Sequence, residues 1–571
     1  MLRFIAPHNL NPIAQRVLPG AYLIGPDSVP IAGEVVIDNQ MIRCEKGTRE
    51  AAAVALQIDL DAHRLRSLNH SEPIVDDIEL RPLGVLTLQT CLLPDREQPY
   101  ILSLELARHR IMLFMTKLEE WQIFDLPEDS IEMRLLSAAR EVFTRALVRA
   151  GEAGAVEETS RLGLLALWIA VEASERLAIL QARQDMSDRL DGSLYAGIAE
   201  DGAGTKRPMP VLHPGRGGVV LPTRPALGVS VSPGVLGDPT KQAIVDSADF
   251  ITMPMRWVEM EPIEGEYAYS PTDRWIEWAI RTAKVPVVAG PVVDFRPHCV
   301  PEWLYIWEND YDTLRDLVYE HMKAIVTRYR RTVSRWTVCS GLHCGEHFKL
   351  DFQQMIDLTR ICVLVVRKLH PRARVQVEIV QPWGGYHTSD RRSLPPMLYA
   401  EMLTQSGIPL DAFSLRLQMG SYMPGQDTRD LMAFSSMLDQ YAMLDRPLSI
   451  SGLGCPSGPL SPSEHPEHFA QTGSWRGLWN DGAQADWLRA YASVAMSKPY
   501  VETVCWQELC DPSGATEMRT GGLLDRRAQA RPALERFRTL RSAIMAGRVP
   551  EGFDSSMLAR DGTPASVGTT I

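Results

Sequence analysis

The sequence predicts an α/β protein whose C-terminal side is a (β/α)8 TIM barrel, preceded by a small β-sandwich-like domain and a helical segment. Three observations predict it. Short β-branched runs alternate with longer amphipathic runs eight times between residues 226 and 547, the rhythm of parallel strands joined by crossover helices. Residues 1–104 instead carry short strand-like runs separated by Gly-, Pro- and Asn-bounded turns. Between these regions lie three stretches with apolar residues at i, i+3, i+4 spacing, the period of a helix face.

At 571 residues the chain exceeds what one hydrophobic core supports, so several domains are expected. A hydrophobic share of 45% and a charged share of 23% are those of a globular protein and exclude a fibrous or disordered class. The net charge of −12 argues against nucleic acid, whose phosphates require a basic face. The opening residues from Met1 to Asn9 lack the apolar centre of a secretory signal, and no run of about 18 apolar residues could span a bilayer. A cytoplasmic chain that meets no membrane is the expectation. Nine cysteines without a repeating C-x-x-C read as reduced thiols.

Strands are expected at 34–38, 53–59, 83–89 and 100–104, and helices at 105–122, 131–150 and 156–186 as a hairpin or small bundle. These helices are one place for a protein partner or self-association. The Met-rich run from Ile111 to Met115 reads as core. Residues 191–223, rich in Gly and Pro, read as a linker, the barrel as 224–547, and the small polar residues 548–571 as a disordered tail.

Barrel strands are expected at 227–231, 250–253, 285–289, 335–339, 375–380, 413–417, 448–450 and 501–506. The helices that follow them are expected at 239–247, 271–283, 311–330, 352–370, 395–406, 428–444, 484–496 and 532–545. No G-x-G-x-x-G follows the first strand, which argues against an open dinucleotide-binding sheet and gives no sign of a cofactor. In a barrel, function is sought just beyond the C-terminal strand ends.

The second-strand segment from Phe250 to Ser270 resembles that of glycoside hydrolase family 10, the xylanase family. Trp257, Glu261-Pro262, Gly265, Tyr267 and Asp273-Arg274 keep the family's frame there. In the same order follow Pro301-Glu-Trp303, Trp336 at strand four, Leu417-Gln418 at strand six, Trp506 at strand eight, and Gly522-Leu-Leu-Asp525 with Arg531-Pro-Ala533. The resemblance spans nearly the whole barrel and implies endo-1,4-beta-xylanase-like chemistry on a polysaccharide. It fails where that chemistry sits. Gly341 stands at the place of the acid/base and Gly452 at the place of the nucleophile. Met253, Pro254 and Arg256 replace the sugar-holding Asn, Glu and Lys, and Pro291 replaces a His.

Retaining hydrolysis needs one carboxyl group to attack and another to pass a proton, and glycine does neither. A non-catalytic barrel, a pseudoenzyme whose mouth holds a polysaccharide or oligosaccharide, is therefore the first expectation. Arg256, Trp257, Gln418, Trp383, Tyr386 and Trp506 are its candidate contacts, since aromatic faces stack on sugar C–H faces. The alternative is a hydrolase with relocated carboxylates, for which Glu346, Glu378, Asp294 and Glu508 are candidates, or with a metal held by His343 and His347. A third reading is an intracellular scaffold in which the helices at 105–186 bind a partner.

Overall fold

In the computed structural model, eight parallel strands close on themselves. The strands are Ala226–Ser230, Phe250–Met253, Val287–Ala289, Arg335–Ser340, Arg374–Ile379, Ala412–Gln418, Leu448–Gly454 and Val501–Trp506. Each pairs with its neighbours in parallel, and the eighth returns to the first through Leu227↔Val504 and Val229↔Trp506, which closes the (β/α)8 barrel. The described residues are 1–6, 18, 20–38, 40–60, 81–193, 198–200, 206–208, 224–345, 348–388, 392–421, 425–459, 473–512, 518–554 and 558.

Helices follow the strands close to the expected positions, for example Tyr311–Tyr329, Phe352–Leu369, Leu431–Ala442 and Pro532–Met545. Local sequence explains their starts. Asp310, Asp351, Asp430 and Asn480 each accept a backbone N–H from the first turn, and Asp351 with Gln354 forms a full capping box. Strand three is short, turns at Gly290 (φ +108°), and resumes at Val293–Asp294 beside strand four. A Cβ at Gly290 would overlap the Thr337 carbonyl, so only glycine passes there.

Ahead of the barrel, two sheets carry the N-terminal region. One orders Gly33–Asp38, Met41–Lys46, Leu2–Ile5 and Tyr100–Ile101. The other orders Gly84–Gln89, Ala53–Leu60, Tyr22–Ile24 and Pro30–Ile31, and gains an edge strand, Ser474–Trp475, from the loop after barrel strand seven. The expected strand at 100–104 ends early, because a helix starts at Leu102. Its run of consecutive apolar residues suits a helix buried against Val156–Asp191: Ser103 Oγ donates to the Ser160 carbonyl at 2.9 Å, and Gly163 admits the close approach. The Met-rich run divides, with Phe114 in the core and Met112 and Met115 exposed.

The Val156–Asp191 helix is buried on nearly every side between Leu162 and Ala182 because it has neighbours on nearly every side. It packs on the other two N-terminal helices and on barrel helices Leu431–Ala442 and Asp481–Ser497. Buried ion pairs lock this junction. Arg476 bridges Glu172 and Glu175, Arg110 binds Asp430 through two bonds of 2.8 and 2.7 Å, and Asp439 receives Lys117 and Lys498. Of the linker expected at 191–223, the described part contains an antiparallel pair, Ile198–Glu200 with Lys206–Pro208.

Candidate functional site in the barrel mouth

The alternation of a strand fixes what enters the barrel. In strand six, Ser414 and Arg416 fall on one side, so an arginine points into an interior from which water is largely excluded and must find a carboxylate. It finds Glu378 on strand five. Arg416 Nε donates to Glu378 Oε1 at 3.1 Å, and the same oxygen accepts from Ser340 Oγ at 2.6 Å. Glu378 is 1% exposed.

A second pair sits beside the first. Asp294 accepts from the Arg296 backbone N–H at 3.1 Å and from Arg296 Nε at 2.9 Å. Burial opposes its charge, but Arg296, with Arg416 behind it, holds the carboxyl well below the usual range. His298, two residues on, is pulled down to about 4 by burial and then by Arg296, so it is a neutral imidazole near pH 7.

Glu508, just past strand eight, differs from both. It is buried as well. Burial pushes its carboxyl up to about 7, against the attraction of Arg256 and Arg416. Arg256 itself pairs with Glu259 at 3.0 Å.

Gly341 has left-handed backbone (φ +63°), and a Cβ there would press on Val380 at 3.0 Å. At Gly452 a Cβ would overlap the amide oxygen of Gln507, a buried side chain lying over the glycine. Below this layer, Thr337, Gln376, Ser449 and Arg335 fill the barrel axis, and the cavity left is about 30 Å³, room for one or two waters.

Several expected contacts lie elsewhere. Trp257 and Trp506 are 1% exposed: Trp257 Nε1 donates to Glu261 at 2.9 Å while its ring stacks on His321, and Trp506 Nε1 donates to the Gly521 carbonyl at 2.9 Å. Neither ring is exposed to a ligand, since each is buried with its indole N–H satisfied by a protein acceptor. Trp475 and Trp479 are buried too, Trp475 against Glu175. Gln418 is buried and accepts from Gln426 at 3.3 Å. Trp383 and Tyr386 are half-buried, with Tyr386 bonded to the Leu394 carbonyl at 2.5 Å.

His343 is fully buried, its Nε2 at 3.0 Å from the Val380 carbonyl and its ring stacked on Tyr399, and burial lowers its pKa to about 4. Glu346 and His347 lie outside the described residues. Among the described residues no three His, Cys, Asp or Glu side chains converge as metal ligands. The residues missed by sequence reasoning are Arg416, Arg296, Ser340 and Gln507. The one available signal was an arginine at an inward strand position.

No family model matches the chain. Among solved structures, its barrel is similar to a psychrophilic glycoside hydrolase family 10 endo-beta-1,4-xylanase, with 15% identity over 55% of this chain and 96% of that one and a TM-score of 0.42. It is also similar to xylanase 10B from Thermotoga maritima, with 15% identity, 57% and 97% coverage and a TM-score of 0.43. For xylanase 10C from Cellvibrio japonicus the figures are 13%, 58%, 72% and 0.44. No residue role is transferred on this likeness.

Proposed function

We propose that this chain is a glycoside-hydrolase-like barrel protein that binds a polysaccharide or oligosaccharide without running the retaining two-carboxylate reaction. One observation carries the reading: Gly341 and Gly452 stand at the two places where the sequence resemblance expects catalytic glutamates, and Gln507 fills the space over Gly452. Retention requires two carboxyl groups about 5 Å apart. The nearby carboxylates Asp294 and Glu378 are neutralised by Arg296 and Arg416, which suits a structural role better than attack on an anomeric carbon. Binding is supported by the half-buried rings Trp303 and Tyr386.

The test joins a glycan array to a reducing-sugar assay on xylan and other β-glycans. Array binding without sugar release is expected. Sugar release by the native protein overturns the non-hydrolytic half of the proposal, and an empty array with folded protein overturns the binding half.

Glu508 favours a second reading, a hydrolase with a relocated acid. A carboxyl titrating near 7 is matched to general acid work at neutral pH. In that case Glu508→Gln abolishes an activity the native protein possesses. A native protein inactive across a broad glycoside panel removes this reading.

A further inference from the structure

A much larger space than the mouth lies on the flank of the barrel. A cleft of about 800 Å³ runs between the Tyr22–Ile24 and Gly84–Gln89 strands and the Leu102–Glu120 helix on one side, and barrel helices Pro396–Gln405 and Leu431–Ala442 on the other. Small-molecule sites span about 300–1,000 Å³.

The walls state what they would accept. Their cations are already matched: Arg110 by Asp430, Lys117 by Glu120 at 2.6 Å and Asp439 at 3.2 Å, and Arg429 by Asp427 at 2.8 Å. Each of these cations is therefore paired, and Asp27 adds a further carboxylate, so nothing there recruits an anion. Three buried polar atoms on the lining nevertheless lack any hydrogen-bond partner among the described residues, namely Thr87 Oγ1, Ser436 Oγ and Arg429 Nε. Thr87 is 2% and Arg429 4% exposed, so neither is served by bulk water. Leaving such a group unmet costs about 1–3 kcal/mol, which a ligand hydroxyl would recover once the Thr87 or Ser436 side chain turns toward the cleft.

One stretch of the lining is flat and apolar. Arg429 lies 5.1 Å from the Trp383 ring centroid and 5.6 Å from that of Tyr22, which holds these rings in place, and Pro396 and Met397 continue the surface. Rigid rings and prolines beside unpaired hydroxyls suit a molecule with apolar C–H faces and a rim of neutral hydroxyl groups.

We infer that this cleft is a ligand site for a short neutral oligosaccharide, separate from the barrel mouth and built jointly by the N-terminal region and the barrel. Its place and chemistry rest on the cleft walls, whereas the proposed function above rests on the mouth. Binding would clamp the two regions together, because each supplies one wall.

The test is calorimetric titration of the full chain with xylohexaose, cellohexaose, mannohexaose and maltohexaose, with a hexamer of a uronic acid as charged comparator. Native protein is compared with Trp383→Ala, Ser436→Ala, Thr87→Val and the mouth variant Glu508→Gln, all checked for folding by circular dichroism. At least one neutral hexaose is expected to bind. Its Kd should weaken about tenfold in Ser436→Ala or Thr87→Val, as for one lost hydrogen bond, and more in Trp383→Ala. Glu508→Gln should leave it unchanged. Binding lost in Glu508→Gln but kept in the three cleft variants overturns this inference and supports the mouth instead. Absence of binding by every neutral hexaose, or tighter binding of the uronic acid hexamer, overturns it as well.

Discussion

Arg416 on the sixth barrel strand holds Glu378 on the fifth, its Nε 3.1 Å from the carboxylate oxygen that Ser340 also engages at 2.6 Å. Glu378 stands at an inward position of a strand where a relocated catalytic group was sought, and the arginine opposite accounts for it by packing and charge alone. The distinction is measurable. Glu378→Gln removes the counter-charge of a buried guanidinium and should destabilise the fold by about 3 kcal/mol in urea unfolding. Glu378→Leu combined with Arg416→Met removes both charges together and should be more stable than Glu378→Leu alone.

Glu508 should make stability depend on pH. Its folded pKa, about 7, lies above the unfolded value of 4.5, so the folded state holds the proton longer. The contribution is therefore full below about pH 4.5 and is lost as pH rises through about 7, a change on the order of 2–3 kcal/mol. Glu508→Gln lacks this slope. Unfolding free energies of the two proteins should converge near pH 4.5 and part by pH 8, with the variant the more stable.

Substitutions at Gly341 and Gly452 test the proposed loss of the two catalytic glutamates directly. Gly341→Glu forces a side chain into left-handed backbone against Val380 and should cost about 1–2 kcal/mol. Gly452→Glu must expel the Gln507 amide. The double variant is expected to show a lower Tm and no hydrolysis of aryl xylosides; recovered turnover would show that the mouth still has an open sugar site.

Arg476 should govern how the N-terminal region holds the barrel. Arg476→Met leaves Glu175, 0% exposed, without its guanidinium, and should cost about 3–5 kcal/mol. Thermal unfolding should move to lower temperature, and limited proteolysis should cut first near residue 193, releasing a barrel-sized fragment.

Much of this molecule was written locally. The strands at 250–253 and 501–506 and the helix at 532–545 fall where their patterns put them, because a period of 2 or 3.6 and a nearby cap are properties of consecutive residues. The strand expected to run to Leu104 was not legible in this way, since a run of apolar residues fits a buried strand and a buried helix alike. Nor was the pairing of Ser474–Trp475 with Gly84–Gln89, which joins segments almost 400 residues apart.

The sequence alone therefore determined the barrel and its order of elements. Only the tertiary structure decided that Trp257 and Trp506 are buried, that Glu378 answers Arg416, that Gln507 lies over Gly452, and that a cleft opens along the flank. The reason is physical: a hydrophobic period is carried by neighbours along the chain, whereas a buried charge or indole N–H is settled by the partner that folding brings to it.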